Sequence, residues 1–216
     1  MRIAIALYDR FTALDAVGPY EVLSRLPGAE VVFVGAERRV FRTDIGALAV
    51  VAGASFAEVE TADVVVVPGG PGRREMIADE ALVGWVRRVH PTTQWTTSVC
   101  TGSLVLAAAG ILSGVDAVTH WAAVEDLAAL GAHPVEERVV VRGKIVTAAG
   151  VSAGIDMALT LAARIAGDDV ARAIQLGIEY DPQPPFDVGH PRKAAPEIVE
   201  LVLGLMAQHQ QPEAAA

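Results

Sequence analysis

Three places in the sequence combine residue types and surroundings that suit nucleophilic chemistry. Cys100 is the sole cysteine and stands in Thr96-Thr97-Ser98-Val99-Cys100-Thr101-Gly102-Ser103, where a β-rich run passes straight into a helical one. A cysteine at such a corner is presented above a sheet edge, the arrangement of a nucleophile elbow, and the small Gly102 and Ser103 let the turn close. The helix N-terminus beneath it offers positive potential and free N–H groups, which favour the thiolate and predict a lowered thiol pKa. A lone cysteine among apolar residues can also be a buried, inert side chain. Its position at the C-terminal strand edge, where open α/β sheets take ligands, favours the reactive thiol.

Gly69 and Gly70 follow the apolar run Val64–Val67 in the same way. Their amides are expected at the same edge as Cys100, free to hold a developing anion, although Pro68-Gly69-Gly70-Pro71-Gly72 also reads as a plain tight loop. No Gly-Lys-Ser/Thr follows it and no G-x-G-x-x-G follows any strand, so it is not a nucleotide loop. Asp15, after the first strand, either caps the first helix or stands among Leu14, Ala16 and Val17 with a pKa raised by desolvation, able to share a proton with the thiol. His120 ends an expected strand, Ala117–His120, and reads first as a structural histidine, second as a base. The small-residue stretch Ala148–Asp156, which contains Val151, reads as packing that could also line a pocket beside Cys100. The remaining histidines, His90, His133, His190 and His209, show no i, i+4 pairing, and no metal site is expected.

These residues need a scaffold that brings strand ends together. Short β-rich runs alternate with helical periods, which predicts a mostly parallel sheet with helices on both faces. Expected strands are Arg2–Tyr8, Val31–Val34, Val64–Val67, Trp95–Val99, Ala117–His120, Val139–Val141 and Ile145–Thr147, with a small antiparallel excursion at Phe41–Thr43 and Leu48–Val51. Expected helices are Gly18–Leu26 with Pro19 at its first position, Glu80–His90 capped by Asp79, Leu104–Ala109 closed by Gly110, Ala122–Leu130, Ala153–Ile165, Asp169–Gly177 and Pro196–Gln208. Tyr180–Pro191 is an extended, proline-rich connection. With no linker in the first 180 residues, 1–209 reads as one domain and 210–216 as a flexible tail.

Composition narrows the classes. The chain has 216 residues, 17 basic and 26 acidic side chains, a net charge of −9 and 52% hydrophobic residues. One cysteine makes no internal disulfide or thiolate metal cluster. Two lysines, Lys144 and Lys193, and scattered arginines give no basic stripe, so nucleic acid is not an expected partner. No apolar run is long enough for a signal h-region or a bilayer span, so no membrane partner is expected and the reducing cytoplasm is the expected compartment.

With the corner cysteine, the Gly-Gly loop and the early acid in place, the chain resembles the DJ-1/PfpI superfamily and, within it, the isocyanide hydratases, over about residues 1–192. The resemblance rests on Leu14-Asp15-Ala16-Val17-Gly18-Pro19, Val67-Pro68-Gly69-Gly70, Thr97 through Leu106, Thr119-His120-Trp121, Ala153-Gly154-Ile155-Asp156 and Glu179 through Phe186. It implies a flavodoxin-like three-layer α/β sandwich, a homodimer, and neither metal nor organic cofactor. It also implies Cys100 as nucleophile and Asp15 as its acid/base partner. Thr101 would place its hydroxyl and amide in the site, beside backbone from Gly69, Gly70 and Val151. Proteolytic members carry a histidine after the cysteine, so Thr101 disfavours a Cys-His protease. The implied reaction adds water to an isocyanide through a thioimidate on Cys100, giving an N-substituted formamide. Two other readings stay open. One is a relative of AraC-type regulator sensing domains without the DNA-binding region. The other is a cysteine-based oxidative-stress or glyoxalase-like protein.

Overall fold

The structure, a computed structural model, describes residues 1–209; the expected tail at 210–216 lies outside the described residues. In chain order the elements are β1 (Arg2–Ala6), α1 (Ala13–Leu23), β2 (Glu30–Gly35), β3 (Val40–Arg42), β4 (Ala49–Val51), β5 (Ala54–Ser55), β6 (Val64–Val67), α2 (Arg73–Ala78) and α3 (Glu80–Val89). They continue with β7 (Trp95–Val99), α4 (Gly102–Ala108), β8 (Asp116–Ala117), α5 (Val124–Ala129), β9 (His133–Pro134), β10 (Val139–Arg142), β11 (Ile145–Ala148), α6 (Ala153–Ala166), α7 (Asp168–Gly177) and α8 (Pro196–His209). No described helix is long and apolar enough to cross a membrane.

Seven strands form the central sheet in the order β10-β11-β7-β6-β1-β2-β5, parallel except for the β10–β11 pair. The period-2 alternation of strand side chains divides the core into two halves. Ile3, Ile5 and Leu7 with Val64 and Val66 face α1, α6 and α7, meeting Leu23, Met157 and Leu161. Ala4, Ala6, Val65 and Val67 face α2 to α5, meeting Leu82, Trp85 and Leu104. The result is the flavodoxin-like three-layer α/β sandwich, with β6 buried on both sides as its continuous valine run requires. Between β1 and β6 the strand order reverses direction, so the C-terminal ends of β1, β6 and β7 border one crevice.

Several elements differ from expectation. The first helix begins at Ala13, and Pro19 lies inside it. Pro19 lacks only the N–H that would reach the Asp15 carbonyl, and the Gly18-Pro19 pair serves packing instead. A Cβ at Gly18 would stand 3.2 Å from Ile155 of α6, and one at Gly154 would stand 3.3 Å from Pro19 and 3.1 Å from Val99. The expected strand Ala117–His120 shrinks to β8, and His120 instead caps a 3-10 turn at Trp121–Ala123, accepting from the Ala122 amide. Helix α2 and strand β5 are additional. The Asp79 cap holds, its carboxylate accepting from the amides of Ala81 and Leu82.

The close approach of α4 to β6 positions the site. A Cβ on Gly102 would lie 2.1 Å from the Val67 carbonyl oxygen and 2.9 Å from Pro68 backbone atoms, none of which can swing away. Gly102→Ala is therefore expected to cost about 3 kcal/mol in urea unfolding, at the upper end of overpacking penalties. Gly177→Ala, at the end of α7 with open space around it, is expected to be neutral or stabilising by about 1 kcal/mol. A loss below 1 kcal/mol for Gly102→Ala contradicts a rigid corner.

Candidate active site

Cys100 sits between β7 and α4 with φ 58°, a left-handed conformation that a side chain larger than glycine rarely adopts. Its backbone is held on both sides. The amide donates to the carbonyls of Ala148 (3.1 Å) and Ala149 (2.9 Å) at the end of β11. The carbonyl accepts from the hydroxyls of Ser103 and Thr119, each at 3.2 Å. These bonds over-determine the strained corner and aim the thiol at the crevice.

Asp15 lies in the first turn of α1 and is fully buried, so it is not a solvent-facing cap. One carboxylate oxygen, Oδ2, accepts from the Gly69 amide at 2.9 Å. The other, Oδ1, has no partner of good hydrogen-bond geometry and is left to the neighbouring Cys100 thiol. Burial pushes the Asp15 carboxyl up to about 7; the Gly69 amide and the thiol pull against that rise, and the charge of Asp44 adds to it. Burial, followed by the Asp15 charge, pushes the Cys100 thiol well above its ordinary value, while the amides of Val151 and Thr101 act in the opposite direction. This corrects the expected lowering of the thiol pKa: in a desolvated site beside a carboxylate, the start of α4 does not outweigh burial. Above about pH 7 the pair holds one proton and one negative charge, with the proton resting on sulfur, and below it the Asp15 carboxyl takes up a second proton.

The Gly-Gly loop also differs from expectation. The Gly69 amide is taken by Asp15, and the Gly70 amide donates to Thr101 Oγ1 at 2.9 Å. Thr101 Oγ1 in turn donates to the Gly70 carbonyl at 2.9 Å. Neither glycine amide is free for an anion, and the Thr101 hydroxyl locks the loop rather than pointing at a substrate. What remains for a charged sulfur is the pair of amides from Thr101 and Val151. The glycines are needed for approach, since a Cβ on Gly69 would stand 2.5 Å from the Thr101 amide nitrogen and one on Gly70 would stand 2.5 Å from the Arg10 carbonyl.

A cavity of about 270 Å³ opens over Cys100. Thr101, Gly70, Val151 and His120 lie on its wall, whereas Asp15 lies beneath it. His120 is mostly buried, and burial together with the Arg73 charge lowers its pKa to about 4, so it is neutral at pH 7. Sequence reasoning missed Thr12, Asp44, Arg73 and the α8 residues Val202, Leu205 and Met206, all on the cavity wall. Arg73 could have been flagged by following the Gly-Gly loop; Asp44 and α8 arrive from distant sequence with no motif. Tyr8, behind the loop, donates from its hydroxyl toward the Pro68 carbonyl (2.9 Å) and Met76 Sδ (3.0 Å). Among the described residues no group of three or more His, Cys, Asp or Glu side chains could hold a metal ion.

The sequence matches the DJ-1/PfpI family over residues 1–164. A Pseudomonas putida protein named isonitrile hydratase is 42% identical over 200 residues, which span 93% of this chain and 87% of that protein. The crystal structure of a ThiJ/PfpI family protein from Pseudomonas syringae superposes with a TM-score of 0.90 at 34% identity, over 97% of this chain and 88% of that one. The HTH-type transcriptional regulator GbdR of Pseudomonas aeruginosa is 29% identical over 194 residues, which cover 83% of this chain and 50% of the regulator.

The buried carboxyl makes a stability prediction. Its folded pKa, about 7, lies above its ordinary 3.8. The folded state therefore binds the proton more tightly, and stability falls as pH rises between those values. At about 1.4 kcal/mol per pH unit, the full cost above neutrality is on the order of 4 kcal/mol. Asp15→Asn removes that charge, so its stability relative to wild type is expected to improve by roughly 2–4 kcal/mol between pH 4 and pH 8 in urea unfolding. An unchanged difference across that range contradicts the assignment.

Proposed function

The chain belongs to the DJ-1/PfpI family, and from that premise we propose that it is an isocyanide hydratase, converting an isocyanide and water into an N-substituted formamide on Cys100. The observation that carries this reading is the desolvated Cys100–Asp15 pair under a small cavity, with two amides directed at the sulfur. The 42% identity to a protein named isonitrile hydratase supports the choice of substrate.

The terminal carbon of an isocyanide carries a lone pair and also accepts a nucleophile, so it can take both the sulfur and the proton. The Cys100 sulfur forms a bond to that carbon while the thiol proton passes through Asp15 to the same atom, giving a thioimidate, R–N=CH–S. Water then adds across the C=N bond. The tetrahedral adduct expels the sulfur with the bonding pair, leaving R–NH–CHO and returning one proton to the Cys100–Asp15 pair. The amides of Val151 and Thr101 hold the sulfur while it is an anion, in place of the committed Gly69 and Gly70 amides. The apolar α8 wall of Val202, Leu205 and Met206 suits the hydrocarbon group on nitrogen. We further propose a cytoplasmic homodimer, supported by the apolar Ile198, Leu201 and Leu203 that α8 leaves exposed.

Formamide release from an aryl isocyanide is expected to disappear in Cys100→Ala and to fall by about 10²–10⁴-fold in Asp15→Asn, the range for loss of a general acid or base. Undiminished turnover by either variant overturns the mechanism. In the wild type, kcat/KM is expected to fall roughly tenfold per pH unit below about 7, where the pair takes its second proton and loses its charge. A flat profile from pH 5 to 8 contradicts the shared proton.

A further inference from the structure

The proposed reaction handles protons in two places. Thioimidate formation uses the proton under the sulfur, which Asp15 can reach. Hydrolysis must also take a proton from water arriving through the cavity, and Asp15 is fully buried and absent from that wall. Besides Cys100, the described polar side chains lining the cavity are Thr12, Asp44, Arg73, Thr101 and His120.

Four of these are excluded as the base by their chemistry. The Thr101 hydroxyl is committed to Gly70. Arg73 is a cation paired with Asp126 at 2.6 Å. His120 accepts at Nδ1 from the Ala122 amide at 3.2 Å, which places the proton of the neutral ring on Nε2 and leaves it no free ring nitrogen to act as a base. Thr12 donates its hydroxyl to Asp44 Oδ2 at 2.9 Å. Asp44 is the remaining acceptor. Its Oδ1 accepts from the Ile45 amide at 2.9 Å, and its own amide donates to the Phe11 carbonyl at 3.0 Å, which ties it to the corner that launches α1. Two bonds occupy half of a carboxylate's roughly four acceptor positions, so sites remain for water. At ~30 Å³ per water, the cavity of about 270 Å³ holds a small substrate and a water together.

We propose that Asp44 is the general base of the hydrolytic half-reaction, an inference that rests on the covalent reading above. A C–O bond forms between water and the thioimidate carbon; the released water proton passes to the Asp44 carboxylate and on to the nitrogen, onto which the C=N pair has closed. The C–S bond then breaks with its pair on sulfur, and the hydroxyl proton of the adduct returns to the Cys100–Asp15 pair.

The test is rapid-quench intact-mass analysis of the full-length protein with an aryl isocyanide, comparing wild type with Asp44→Asn. The variant is expected to form the Cys100 adduct at the wild-type rate and to discharge it at least 10²-fold more slowly. Hydroxylamine, which attacks without a base and leaves as the formamidoxime, is expected to restore discharge in the variant. Discharge at the wild-type rate overturns the inference, as does equal slowing of formation and discharge without rescue. A complete absence of adduct in both proteins overturns the covalent reading and this inference with it.

Discussion

A single proton shared by two buried groups is the constraint on which the site depends. Cys100 and Asp15 are both removed from water, and each disfavours a second negative charge on the other. Such a pair exists only if three strand ends meet, because Asp15 follows β1, the loop that binds it follows β6, and Cys100 follows β7. The strand order makes them meet, with β1 and β6 adjacent at the reversal of the sheet and β7 beside β6. The helices leaving these ends lie on opposite faces, α1 on one and α4 on the other. The loop after β6 is thus wedged between both first turns, and its contacts leave no space for a Cβ at Gly69 or Gly70.

The site stores unfavourable terms in the fold. Cys100 holds a left-handed backbone, Asp15 holds a desolvated carboxyl, and Asp15 Oδ1 lacks a hydrogen bond of good geometry. Two packed half-cores of aliphatic residues on a sheet buried on both faces offset these costs. Strain held against such a background keeps the reacting groups pre-organised, the usual trade between stability and activity.

The fold was legible wherever one residue pattern had one structural solution. The four valines of β6 and the run Trp95–Val99 read as buried strands, and Asp79 and Gly110 marked a helix start and a helix end. The start of α1 was not legible, because Pro19 tolerates an interior position whose lost partner is a single carbonyl. The ionisable pair was visible as residue types at strand ends. The direction of the thiol pKa was not, since it depends on how burial and a neighbouring charge compare with two amides. Nor could the sequence say that Asp15 and Thr101 consume the Gly69 and Gly70 amides, a matter of which acceptor lies nearest across 54 and 31 residues. Asp44 and the α8 wall entered the site only through tertiary packing, one from the β3–β4 turn and the other from the last described helix.

Because Cys100 is the sole cysteine, the pH dependence of its alkylation by iodoacetamide reads the shared proton without interference. In the wild type the rate is expected to step up through an apparent pKa near 7, as the pair loses the proton on Asp15, and then to level off. In Asp15→Asn that step disappears. A variant that keeps an inflection near 7 contradicts the account, because the titration would then belong to another group.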